Sequence, residues 1–161
     1  MVSGDQTTMS AKRWTRWIYL ALFIAYMVAL LFITVIRPGV YDSNRQINPR
    51  LFVELFALIK TSGWGTFLWL FLGNIGWFVP FGFLVPILFK RLRPATVVLA
   101  GLLLSLCIET TQFIFHKGVA ELDDLVLNTL GVAIGYLLFR LVHGLRRHTS
   151  RFVRKRRLRN K

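Results

Sequence analysis

The sequence predicts an all-α integral membrane protein with four spanning helices. Three observations carry that reading. Hydrophobic residues make up 55% of the 161 residues, a share above that of ordinary soluble domains. They gather into four runs, 17–36, 61–89, 95–115 and 124–142, in which only Glu109, Asp124 and Arg140 are charged. Each run offers about the 20 apolar residues that a helix needs to cross hydrocarbon, and a helix satisfies its own backbone where no water can. Finally, the cations are segregated. The formal net charge is +14, and Lys and Arg concentrate before the first run (Lys12, Arg13, Arg16), between the second and third (Lys90, Arg91, Arg93) and beyond the fourth, from Arg146 to Lys161. By the positive-inside rule both termini face the cytoplasm.

The elements follow in order. Residues 1–13 are polar and read as loose. A first helix over 14–36 begins with Trp14 and Trp17, which suit the membrane interface. It is an uncleaved anchor, because its apolar run is long and no small-residue cleavage site follows. The "RPG" at 37–39 ends it, since proline cannot continue a helix and glycine supplies the turn. Within the first outer loop, 48–60 has Pro49 near a helix start and apolar Leu51, Leu55, Leu58 and Ile59. That spacing suits a short interfacial helix. The second span lies within 66–89 and contains Pro80 and Pro86, which neighbouring helices can accommodate. A tight inner turn, "KRLRP", leads to a third helix over 95–115. An eight-residue loop follows, and so short a connection to a fourth helix over 124–143 implies an antiparallel hairpin. Residues 1–143 thus form one four-helix membrane domain, and 144–161 a basic cytoplasmic tail. Its place just past a span suits anionic lipid headgroups better than nucleic acid.

Polar residues inside the spans are the candidates for function. Ser105, Glu109 and Gln112 form one stripe of the third helix. Asp124, Asn128, Gly131 and Gly135 form one stripe of the fourth. Glu109 lies roughly 9 Å below the end of its helix, and Asn74, in the outer half of the second span, is at a similar depth. Gly131 and Gly135 make a G-x-x-x-G pair that lets another helix approach closely. The simplest arrangement sets the third helix on that glycine stripe, so that Glu109 and Gln112 face Asp124 and Asn128. Glu109 is then either protonated and donating to Gln112, Asn128 or Asn74, or ionised and paired with Lys117, an arginine of the first loop or a ligand. Such groups serve either as interhelical glue or as a ligand site.

Other chemistries find no support. The chain has no Walker loop and no G-x-G-x-x-G. His116, His143 and His148 are scattered, so no histidine metal site is expected, and Ser105 has no histidine near it in sequence. A divalent-ion site on Glu109, Glu121, Asp123 and Asp124 is conceivable, but an acidic loop end is more often simply solvated. The single cysteine, Cys107, permits no internal disulfide. No metal or cofactor is expected.

"NIGWFVPFGFLVPIL", "SLCIETTQFIF" and "DDLVLNTLGVAIGY" resemble, in order and spacing, the VanZ-like family of bacterial membrane proteins. The resemblance covers 74–136. Asn74, Phe78, Pro80 and Gly82 match one motif of that family, Glu109 and Gln112 a second, and Asp124, Asn128 and Gly131 a third. Many members carry an arginine in the outer loop where this chain has Gly118, with Lys117 one place earlier. The resemblance implies a bacterial cell membrane protein with a role in resistance to glycopeptide antibiotics, teicoplanin in particular, in Gram-positive bacteria. The leading expectation is a non-enzymatic protein whose outer cluster of Asn74, Glu109, Gln112, Asp124 and Asn128 binds a peptidoglycan precursor or a lipoglycopeptide. Pro80, Gly82, Gly131 and Gly135 would serve helix packing. The alternative is a membrane enzyme using Glu109 and Asp124 as acid and base on a lipid-linked substrate of the cell envelope.

Overall fold

A computed structural model describes residues 3–36, 47, 48, 50–115 and 120–159. The order is α1 (Ser3–Leu31) running into a π-helical turn (Phe32–Ile36), β1 (Ile47–Asn48), α2 (Val53–Thr61), α3 (Gly63–Leu88), α4 (Pro94–Ile114), β2 (Ala120–Glu121) and α5 (Leu122–Arg159). Among the described residues, four stretches are long and apolar enough to cross a membrane: Arg13–Thr34, Gly63–Leu88, Pro94–Ile114 and Leu122–Leu145. The expected fold class holds, and the chain is a multi-pass membrane protein. The RPG stop, Pro49, Lys117 and Gly118 lie outside the described residues.

Several boundaries differ from the sequence expectation. The segment read as loose is helical from Ser3, and α5 continues to Arg159 instead of ending near 143. Lys and Arg are good helix formers, and with no proline after residue 94 nothing breaks α5 when its apolar stretch ends. The short helix starts at Val53, later than expected. Its entry residue, Phe52, is in the left-handed region at φ 59°. The step from α2 to α3 is a sharp corner in which Gly63 takes φ 82°, a conformation open to glycine and strained for other residues. Pro94 opens α4 at a position where its missing N–H has no intrahelical acceptor to satisfy.

α3 is the hub, packed on α1, α2 and α5, and α4 lies against α5. The main core joins Leu30, Phe78, Phe81, Val85, Val97, Ile108, Val132 and Tyr136. A second cluster, Leu55, Phe67 and Leu127, fastens α2 to the same end of the bundle as the polar residues. Phe67 stacks between Phe56 and Phe71, at 5.6 and 5.5 Å between ring centres. Outside this core, large apolar side chains such as Trp17, Leu72, Leu103 and Leu137 point outward. Such a continuous apolar surface matches lipid, not water.

The glycine stripe corrects the expected packing. Gly131 and Gly135 do not seat α4. A Cβ on Gly131 would overlap the carbonyl of Ile75, and one on Gly135 the carbonyl of Val79, both on α3. Gly82 of α3 reciprocates, because a Cβ there would overlap the carbonyl of Val132 on α5. The closest backbone approach therefore joins α3 to α5. α4 meets α5 through Gly101, which receives the Val132 side chain. Pro80 and Pro86 both lie within the continuous α3, on the helix that gains this backbone contact.

Candidate functional site

Polar groups from five elements meet at one end of the bundle, the end that carries α2 and the β1–β2 bridge. The bridge is parallel and two residues long, pairing Ile47 with Ala120 and Asn48 with Glu121. It holds the segment before α2 beside the entry to α5, and the first turn of α5 brings Asp123 and Asp124 into the structure.

Asp124 accepts a hydrogen bond on Oδ1 from Asn74 Nδ2, which ties α5 to α3. Asp123 points the other way and accepts on Oδ1 from the Phe52 N–H at 2.7 Å. It is only 3% exposed. Glu109 is 7% exposed, and its Oε2 accepts from the Glu121 N–H at 3.2 Å. The carboxyls of Asp124 and Glu121 are near enough for their charges to act on it. Asn128 Nδ2 donates to Ser105 Oγ at 2.9 Å, a buried bond between α5 and α4. Gln112 Nε2 donates to the Thr34 carbonyl at 2.9 Å. Thr34 stands in the π-helical turn, and such turns occur often at functional sites.

The structure thus brings Asn74, Glu109 and Asp124 into one acidic spot. It separates the other two candidates. Gln112 turns to α1 instead of facing Asp124, and Asn128 takes Ser105 instead of Glu109. The cause is the seating of α5 on α3, which turns Asp124 towards Asn74 and leaves Asn128 on the α4 side. Among the described residues, no three His, Cys, Asp or Glu side chains assemble as a set able to hold a metal. Asp123, one of the four acids weighed for such a site, is engaged with the Phe52 backbone.

Two contributors, Tyr26 and Thr34, are absent from the sequence expectation, and Asp123 enters it only as one of the acids weighed for a divalent ion. Asp123 was legible as an acid in the first turn of a helix, where acids favour the exposed N–H groups, but its reach to Phe52 was not. Tyr26 donates to the Trp77 carbonyl at 2.8 Å, and Thr34 supplies a backbone acceptor, which no side-chain pattern announces. Beside Asn74, on the outward face of α3, lies a recess of about 370 Å³ lined by Trp69, Leu70, Gly73, Gly76 and Trp77. Of the cluster, Asn74 lines this recess, and its amide is hydrogen-bonded to the Asp124 carboxyl, so polar groups adjoin an apolar, aromatic face. That suits an amphiphile with hydroxyl, amide or ammonium groups.

The VanZ/LLP1 family matches the chain over residues 17–143, a span containing all of these groups. Protein VanZ of Enterococcus faecium is 37% identical over 68 residues, which are 42% of this chain and 42% of that protein. The aligned stretch is therefore less than half the length of the relative. No solved structure matches the chain.

Proposed function

The chain belongs to the VanZ/LLP1 family, and from that premise we propose that it lowers the susceptibility of a Gram-positive cell to a lipoglycopeptide such as teicoplanin. It does so at the outer leaflet of the cell membrane, without chemistry of its own, by binding a lipid-linked peptidoglycan precursor or the drug. The polar head sits at Asn74, Glu109 and Asp124, and the apolar part lies along the tryptophan-lined recess. One observation carries this reading: a nearly fully buried carboxyl group, Glu109, whose described hydrogen bond is one of 3.2 Å from a backbone N–H. A carboxyl in hydrocarbon costs about 2.5–3.5 kcal/mol at mid-helix and less near the interface. Intramembrane acids of this kind mark sites more often than they mark glue.

The test compares wild type with Glu109→Gln in a teicoplanin-sensitive Gram-positive host at matched membrane levels. The wild type is expected to raise the inhibitory concentration, and Glu109→Gln to return it to that of the empty host. Equal protection by both would reduce the cluster to helix glue. No protection by the wild type would end the resistance reading.

A second reading is favoured by the proximity of Glu109, which is buried, and Asp124, which is half-buried: two acids in different surroundings able to share acid and base roles on a lipid-linked substrate. Turnover of such a substrate by purified protein, abolished by Glu109→Gln, would establish it over simple binding.

A further inference from the structure

At the other end of the bundle, we propose a site for one acidic phospholipid, with its phosphate on Arg16, Lys90 and Arg91 and its acyl chain against Tyr19, Ile87 and Phe139. Two adjoining cavities of about 410 and 540 Å³ open there between α1, α3 and α5. They share Tyr19, Ile87 and Lys90 as walls. Each is within the range of about 300–1,000 Å³ found for small-ligand sites.

The walls are graded. Lys90 and Arg91 lie just beyond the end of α3 at Leu88, and Arg16 is one turn before Tyr19. The cations therefore stand at the rim, where headgroups are. Ile87 and Phe139 are further in, and Phe139 is stacked at 5.5 Å on His143, whose ring completes the wall. Among the described residues, no acidic side chain lines either cavity. Every Asp and Glu except Asp5 lies between positions 42 and 124, and the described ones gather at the far end.

Charge decides the occupant. The chain's own tail, from Arg146 to Lys161, carries the same sign as the rim and is repelled. A free anion satisfies the cations and leaves the aromatic depth unused. A zwitterionic lipid brings its own ammonium towards three cations. An acidic phospholipid fits both halves, and long basic side chains at a helix end are suited to meet its phosphate. This site is distinct from the diffuse attraction of a basic tail to a charged surface, because it predicts a stoichiometry.

The experiment counts lipids retained by the delipidated full-length protein after addition of phosphatidylglycerol or phosphatidylcholine with the same acyl chains, using native mass spectrometry in raised salt. One phosphatidylglycerol is expected to stay bound, and phosphatidylcholine to be lost. Arg16→Gln, Lys90→Gln and Arg91→Gln together weaken retention by about a hundredfold, the loss expected for three cations near a phosphate. Ile87→Trp fills the shared wall, keeps the charge and also loses the lipid. Arg154→Gln, Arg156→Gln and Arg157→Gln together keep it. Retention that follows the tail variant, equal retention of phosphatidylcholine, or displacement of the lipid by inorganic phosphate would each overturn the proposal.

Discussion

Gly82→Ala, Gly131→Ala and Gly135→Ala each lower the apparent melting temperature of the purified protein, while Gly73→Ala and Gly76→Ala leave it unchanged or raise it. All five lie inside helices, so intrinsic propensity alone favours alanine at each by roughly 0.5–1 kcal/mol. What separates them is the neighbour. The first three face backbone atoms of the opposing helix, with the carbonyls of Val132, Ile75 and Val79 in the path of any Cβ. Backbone cannot swing aside as a side chain can, so α3 and α5 must separate. Overpacking of this kind costs about 1–3 kcal/mol. Separation also pulls Asn74 from Asp124, which adds to the loss. Gly73 and Gly76 have nothing within 4 Å of an added Cβ, so only the propensity gain remains. Thermal unfolding of all five variants in one detergent checks the split. If Gly131→Ala melts with the wild type, the α3–α5 seam is looser than its geometry requires.

Asp123→Ala detaches α2 from the bundle. The buried carboxylate is the side-chain acceptor for the Phe52 N–H, and Phe52 holds a left-handed conformation that costs a bulky residue about 1–2 kcal/mol. A hydrogen bond to a charged group contributes about 1.5–3 kcal/mol. Its loss leaves the strain without compensation, and the segment relaxes. Amide exchange over 52–61 is expected to speed up by at least an order of magnitude, with α4 and the far half of α5 unaffected. Asp123→Asn keeps an oxygen in place and should show a smaller change. Unaltered exchange in Asp123→Ala would mean that the packing of Leu55 against Phe67 and Leu127 holds α2 without help.

The four spans were legible because hydropathy and length suffice for them, and α2 because Leu55, Leu58 and Ile59 repeat at helical spacing. Asn74, Glu109 and Asp124 could be placed at one depth by counting residues along helices that alternate in direction. Their partners could not. A glycine stripe states that something approaches closely and does not say which helix. The short 116–123 loop favoured α4 as the partner, but the reciprocal notch at Gly82 sits on α3. That one assignment rotated the expected contacts of Asn128 and Gln112. Tyr26 and Thr34 stayed hidden because their bonds run through backbone carbonyls, and Asp123 because a cap joining residues 71 apart in the chain leaves no local pattern.

The pairing of α3 with α5 has a consequence for how the protein is made. Asn74 and Asp124 are 50 residues apart in the chain, with the whole of α4 between them. At about 5–20 residues per second of synthesis, α3 waits roughly 3–10 s in the bilayer before its partner emerges from the ribosome. For that interval its amide and its notch face lipid or the insertion machinery. α4 cannot stand in, since its Ser105 also waits for α5, through Asn128. Assembly therefore closes at the last span: a nascent chain halted before residue 122 could make the bonds of Tyr26 to Trp77 and of Gln112 to Thr34, but those of Asn74 and Ser105 would still wait for α5.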